Sequence, residues 1–431
     1  RELKLFVWYN INMKGALKKA KKPSILRRIG RFIGPGIITG ASDDDPSGIT
    51  TYSIAGANAG YKTLWTALFT FPLMAAIQEM CARIGLVTGH GLAGAFRRYF
   101  PQKLLYILFV LMFVANTVNI GADLLGMSAA VNLLVPIPVW LIAVILCAVI
   151  TFLMIRFPYA RIAKYLKWLT LSLFAYVAAA LIVSQDWLAI AKNTFIPRVE
   201  MNSDFLMLLV AIFGTTISPY LFFWQTSEEV EERGQKAGKK IITKHELSNM
   251  RGDVTLGMFF SNLVTFFIIA LTGSLFFGTG VKIETIRDAA EALRPLAGNA
   301  SYLLFTLGVL GTGLLAIPVL AGSAAYIFAE VFKTSEGLSQ PFRKAKAFYG
   351  VIILSVVLGL VMSFIGINPV KALFYTAVLY GLLSPPLILI IMIIANDQKI
   401  MGRFRNKWVS NILGGLCFLV MTAAVVGMFL V

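Results

Sequence analysis

Gly34-Pro35-Gly36-Ile37-Ile38-Thr39-Gly40-Ala41-Ser42-Asp43-Asp44-Asp45-Pro46-Ser47-Gly48 sets three carboxylates, two prolines and four glycines inside what otherwise reads as one apolar run, 33–60. Proline removes a backbone donor and clashes with the preceding turn, so the helix should break near Pro46 and free carbonyl oxygens. Open backbone at membrane depth is tolerated only where protein or a water-filled cavity satisfies it. Asp45, beside the break, is the expected centre of a solute site. Asp43 and Asp44 are expected either at the mouth of that cavity or capping the half-helix that follows.

A second interrupted span reads Phe213-Gly214-Thr215-Thr216-Ile217-Ser218-Pro219-Tyr220. One such break is an ordinary kink in a membrane helix. Two breaks at corresponding places in two halves are the pattern of an inverted-repeat transporter, with the solute held between them near the midplane.

Outward from these breaks, the 431 residues are 58% hydrophobic and 14% charged, too apolar for an ordinary soluble enzyme. Hydropathy and span length place crossings at about 33–60, 64–87, 104–134, 137–156, 163–184, 205–229, 254–278, 302–331, 347–366, 370–395 and 408–431, eleven in number. The expected fold is therefore an all-α polytopic membrane protein in one transmembrane domain over 33–431, preceded by a basic segment over 1–32. The halves are about 33–184 and 205–395, with 408–431 as an extra helix.

The net charge of +18 does not form a stripe with interleaved aromatics, so nucleic acid is not an expected partner. The basic residues sit in alternate connections, which puts the N-terminus in the cytoplasm and the C-terminus outside a prokaryotic inner membrane. No signal peptide is evident. Cys81, Cys147 and Cys417 lie in apolar runs and read as free thiols. His90 and His245 read as surface loop residues, and His90 to Lys103 as an interfacial amphipathic piece. Glu79 and Arg83 are spaced to pair along a helix. Glu228, Glu229, Glu231 and Glu232 read as a solvated end of the sixth span. No nucleophile with a base at readable spacing appears, so an enzyme is not expected.

At Asp45-Pro46-Ser47-Gly48 and Ser218-Pro219-Tyr220 the sequence resembles the Nramp family of divalent metal transporters, whose first helix carries Asp-Pro-Gly-Asn and whose sixth carries Met-Pro-His. Gln78 to Gly85, Gly121-Ala122-Asp123-Leu124, Arg251-Gly252-Asp253-Val254-Thr255-Leu256-Gly257 and Ser384 to Gly402 are similar as well, so the likeness runs from about 30 to 405. It implies a leucine-transporter-type fold with a 5+5 inverted repeat plus one helix, no cofactor, no obligate protein partner, and a divalent cation as substrate.

The departures carry the finer reading. The resemblance implies that Asp45 holds the metal, while Gly48 lacks the family's amide and Ser218 its thioether. Soft sulfur favours transition metals, whereas carboxylate, carbonyl and water suit magnesium, calcium and manganese. Asp45, Ser218, Thr215 and Ser42, with vacant volume at Gly48, would hold a hard and partly hydrated ion. The resemblance to the magnesium branch of the family makes that ion Mg2+, with Mn2+ possible. Asp44, Asp123, Tyr220 and Asn116 are expected elsewhere in the cavity. The family's proton-coupled members have acids along the third helix and a histidine after the sixth-helix proline. Here Asn116, Gly126 and Tyr220 stand at such places, and a relay needs titratable groups in series. A uniporter driven by membrane potential is therefore expected. A proton-coupled Mn2+/Fe2+ carrier is the alternative, and an amino-acid or organic-cation carrier on the same fold a second, which the three aspartates would disfavour by repelling a carboxylate.

Overall fold

Helices, and no strands, make up the described residues of the computed structural model, 34–166, 168–235 and 242–431. The basic segment over 1–32 lies outside them. In chain order the helices are α1 (Pro35–Asp43), α2 (Pro46–Ala59), α3 (Leu64–Thr88), α4 (Leu92–Phe96), α5 (Gln102–Asn132), α6 (Val139–Arg156), α7 (Tyr159–Leu166), α8 (Phe174–Ile182) and α9 (Trp187–Phe195). The second half holds α10 (Ser203–Thr216), α11 (Pro219–Gln235), α12 (Lys244–Phe276), α13 (Ile286–Glu291), α14 (Arg294–Ala297), α15 (Ser301–Phe332), α16 (Lys346–Val361), α17 (Pro369–Asn396), α18 (Gln398–Met401) and α19 (Trp408–Leu430).

Among the described residues, nine helical runs are long and apolar enough to cross a membrane. One of them, Pro46–Thr88, takes in half of the first expected crossing and all of the second. The fifth crossing, expected at 163–184, is instead broken: α7 ends at Leu166 and the apolar helix that follows is only Thr170–Ile182. Hydropathy measures how apolar a stretch is and says nothing of helix continuity, so an interruption without proline or glycine leaves no trace in it.

Lipid tails are as apolar as leucine, so helices in a membrane associate through close packing of small residues more than through water exclusion. The α1–α12 contact shows this at the level of backbone. A methyl group on Gly40 would lie 2.3 Å from the Gly257 carbonyl oxygen, and one on Gly257 would lie 2.1 Å from the Gly36 carbonyl oxygen. Farther along, Gly56 of α2 meets the same helix at Ile269 and Thr272. One long helix thus runs beside both halves of the broken first span. Asp253 completes the joint: its carboxylate accepts from the Gly36 N–H at 2.6 Å, satisfying one of the donors that a helix start leaves unpaired. In the other half, α10 and α17 approach as closely, since methyl groups on Gly214 and Gly381 would meet the backbone of Ala377 and Val210.

Glu79 and Arg83 do pair, at 3.0 Å, and the pair is part of a larger tie. Arg83 also donates to Asn406 at 2.6 Å and to the Phe404 carbonyl, and Arg251 of α12 reaches Glu79 at 2.8 Å. Cys81, Cys147 and Cys417 are free and buried. His90 is exposed between α3 and α4, whereas His245 falls in the first turn of α12 and not in a loop, exposed as expected. The stretch after His90 is less interfacial than its composition suggests, because Leu92, Ala93, Ala95 and Phe96 of α4 are all buried.

Candidate metal site

The residue before a proline is pushed out of the helical region, and Asp45 has φ −69° and ψ 172°, extended. That ends the first half-helix. Pro46 then opens α2 at a position where its missing N–H costs nothing, and Asp45 caps α2 by accepting from the Gly48 N–H at 2.7 Å. Capping therefore falls to Asp45, and not to Asp43 or Asp44. The same logic breaks the sixth span between Thr216 and Pro219. There the Ser384 hydroxyl of α17 is placed to donate to the Ile217 or Tyr380 carbonyl, at 2.9 and 2.8 Å, and the Ser218 hydroxyl to the Gly214 or Thr215 carbonyl, at 2.9 and 2.8 Å.

The two breaks face each other. The Tyr220 hydroxyl donates to the Ser42 carbonyl at 3.1 Å, and the Tyr52 and Thr216 hydroxyls lie 3.1 Å apart. A methyl group on Gly48 would stand 3.1 Å from Thr215 Oγ1, 3.4 Å from the Asp43 carbonyl and 3.4 Å from the Tyr52 ring. The vacant volume expected at Gly48 is thus occupied by neighbours. The Ser42 hydroxyl turns back to the Ile38 carbonyl at 2.9 Å, so its own carbonyl oxygen is what it presents to Tyr220.

Helix α5 supplies the third wall, and with it a residue the sequence reading missed. Asn119 donates to Asp45 Oδ2 at 3.1 Å. An amide therefore does reach the carboxylate, from another helix than the family's motif supplies it. One turn on, Asp123 is fully buried, with the Ser47 N–H nearby but no hydrogen bond of good geometry to either carboxylate oxygen, and the Asn119 side-chain carbonyl is without a donor. Gly126, one turn further, brings α5 against Pro46, with 3.6 Å to a methyl group placed there. Asn116 takes no part in this wall: it accepts from Tyr380 at 2.8 Å and donates to the Leu320 carbonyl and Ser323, at 2.9 and 2.7 Å.

Asp45, Asp123, Ser218, Thr215, Ser42, Asp44, Tyr220 and Asn116 are all buried, so the site is closed at both ends. At the end where α1 begins, the Thr39 hydroxyl is placed to donate to Gln225 Oε1 or to the Pro35 carbonyl, at 2.6 and 2.7 Å, and Gln225 donates to Glu229 at 3.0 Å. The glutamates there are not a solvated helix end. α11 continues to Gln235, Glu229 is buried, and Glu231 accepts from Tyr326 at 2.5 Å and from the Leu338 and Ser339 N–H groups at 2.7 and 3.1 Å. The segment after α15 folds back to supply those donors, a hundred residues away and invisible to local reading.

Among the described residues no three His, Cys, Asp or Glu side chains converge on a point. A cation between the breaks would accordingly be held by few carboxylates and by neutral oxygens.

Residues 36–431 match the family described as natural resistance-associated macrophage protein-like, Nramp. The divalent metal cation transporter MntH of Caldanaerobacter subterraneus subsp. tengcongensis is 25% identical over 399 residues, 91% of this chain and 90% of that protein. MntH of Listeria monocytogenes serotype 4a is 27% identical over 397 residues, 90% of this chain and 86% of that protein. Among solved structures, the Eremococcus coleocola manganese transporter in complex with an aromatic bis-isothiourea substituted compound superposes with a TM-score of 0.72 at 19% identity, covering 91% of this chain and 85% of that one. Mhp1, a nucleobase-cation-symport-1 family transporter, superposes with a TM-score of 0.57 at 14% identity, covering 92% and 91%. The fold is of the leucine-transporter type.

Proposed function

This chain belongs to the Nramp family, and from that premise we propose that it carries divalent metal cations across a prokaryotic inner membrane, preferring partly hydrated Mg2+ and admitting Mn2+, by alternating access without proton coupling. The observation that carries the reading is the set of under-satisfied acceptor oxygens around Asp45: Asn119 Oδ1, which has no donor, and the two oxygens of Asp123, which have at most a poorly aligned one from the Ser47 N–H. Buried acceptors without donors are costly, and a hard cation is the partner that oxygen-only sets suit. The absence of a thioether at Ser218 favours the same class.

Magnesium keeps several waters and binds through one or two carboxylates, which fits Asp45 with Asp123 and neutral oxygens from Asn119, Thr215 and Ser218. Manganese is the ion in the name of the Eremococcus coleocola transporter, while the MntH relatives are named for divalent metal cations in general; the oxygen-only set favours a harder ion for this chain. Uniport is supported by what fills the relay positions. Asn116 is bound by Tyr380, Gly126 packs toward Leu373 and Pro46, and Tyr220 binds the Ser42 carbonyl. Orientation follows from the basic connections, with the N-terminus cytoplasmic, and 33–184 and 205–395 as the two repeats.

Proteoliposomes loaded with a magnesium-sensitive dye, run beside Mn2+ and Ca2+ with lumenal pH recorded, test this. Expected is Mg2+ entry at constant lumenal pH, accelerated by an inward-negative potential at roughly 2.3 kcal/mol per charge per 100 mV. Lumenal acidification in step with entry would establish the proton-coupled reading instead, and no divalent entry at all would remove carriage of these ions.

A further inference from the structure

We propose that Asp43 and Asp44, with Ser261 and Thr265 of α12, form a second divalent-cation site, on the opposite face of the helix break from Asn119 and Asp123. The proposal takes the class of ion from the function proposed above, but its geometry stands apart from the Asp45 site.

Asp45 turns toward α5, where Asn119 meets it. Asp43 and Asp44 turn the other way: Asp43 Oδ2 lies 2.5 Å and Asp44 Oδ1 3.2 Å from the single hydroxyl of Ser261. That hydroxyl has one proton and can donate to only one of them. Both carboxylates are buried, and among the described residues neither has a Lys, Arg or His within ion-pair distance. Isolated buried carboxylates do not persist in that state, since removing each charge from water costs several kcal/mol even after relaxation.

Two further atoms point to a ligand. Asp43 Oδ1 is buried and without a hydrogen-bond partner, and the Thr265 hydroxyl, one helical turn beyond Ser261 on α12, is buried beside the Tyr52 hydroxyl and makes no hydrogen bond of good geometry. Thr265 and Asp43 are both fully buried. Two carboxylates match the charge of one divalent ion, and the hydroxyl oxygens of Ser261 and Thr265 complete a hard, oxygen-only set. One proton shared between the carboxylates, or a monovalent ion, would leave a net negative charge in the same burial; a proton on each would neutralise the pair without an ion, and the infrared measurement below separates that case.

The test is binding stoichiometry on the full-length purified protein, with Mn2+ as the spectroscopic probe and calorimetry with Mg2+ beside it. Wild type should bind two ions, Asp45→Asn one, and the Asp43→Asn, Asp44→Asn double variant one. Ser261→Ala, which keeps both carboxylates and removes little volume, should weaken the second ion by on the order of tenfold or more and leave the first unchanged; it decides the matter if the double variant does not fold. One ion in wild type, lost in Asp45→Asn and kept in the double variant and in Ser261→Ala, would overturn the second site and leave the proposed function intact. One ion in wild type that is kept in Asp45→Asn would overturn the Asp45 assignment and the two-site arrangement together. Unchanged binding in the double variant, with loss of a protonated-carboxyl infrared band, would show that a proton holds the pair and overturn the proposal.

Discussion

Asn119 Nδ2 donates to Asp45 Oδ2 at 3.1 Å across 74 residues of sequence. Its amide thereby aims the carboxylate and leaves its own carbonyl oxygen free beside it. Partners of this kind typically set metal affinity by 10–100-fold. Asn119→Ala should raise the concentration of Mg2+ at half-maximal uptake by about tenfold with protein yield unchanged. Half-saturation at the wild-type concentration would remove Asn119 from the site.

Asp45→Asn should abolish divalent transport and leave folding intact. Asparagine is as good an N-cap as aspartate, so the bond from Gly48 survives while the charge is lost. Gel-filtration profile and thermal midpoint should match wild type as uptake vanishes. Retained uptake by a properly inserted variant would sink the assignment. Asp123→Asn should act more mildly, since the Asp45 carboxylate remains at the break and asparagine still offers an acceptor oxygen beside it.

Ser218→Met with Gly48→Asn should raise the Mn2+ over Mg2+ uptake ratio, because a thioether and a second amide reward an ion that sheds water. Thr215 constrains the pair: its hydroxyl lies 3.1 Å from a β-carbon at 48, so that threonine must give way by a few tenths of an ångström. Adding Thr215→Ala should therefore restore yield without reversing the selectivity. An active double variant with an unchanged ratio would count against the hydrated-ion explanation.

The breaks at Pro46 and Pro219 could be read in the sequence because proline announces itself. Asn119, Ser261 and Gln225 could not: each is an unremarked polar residue in an apolar helix, and its role exists only after α5, α12 and α11 close on α1. The resemblance located Asp45, while the loss of the motif's amide at Gly48 suggested an empty space that Thr215, Tyr52 and the Asp43 carbonyl in fact take up. Glu231 misled for a related reason, since the N–H groups that hold it come from the segment after α15.

Glu336, in the connection between α15 and α16, is pushed up to about 8 by burial and then by the charges of Glu330 and Glu231. Because its pKa is raised on folding, the native protein holds a proton that the unfolded chain has already released. Thermal stability in detergent should fall as pH climbs from the ordinary carboxylate range to about 8, and Glu336→Gln should flatten that slope. An identical slope in the variant would assign the pH dependence to other groups.

Where α1 lies on α12, no side chain separates the two backbones, and Gly40 and Gly257 touch almost bare. Surfaces meshed in this way behave like interlocked combs. They hold their register along the axis and yield readily to rolling about it. Since α2 is meshed with the far half of the same helix at Gly56, a roll of α1 cannot be passed up the chain as a rigid turn. Any such twist would have to be taken up in the gap between Asp43 and Pro46, where the carboxylates sit.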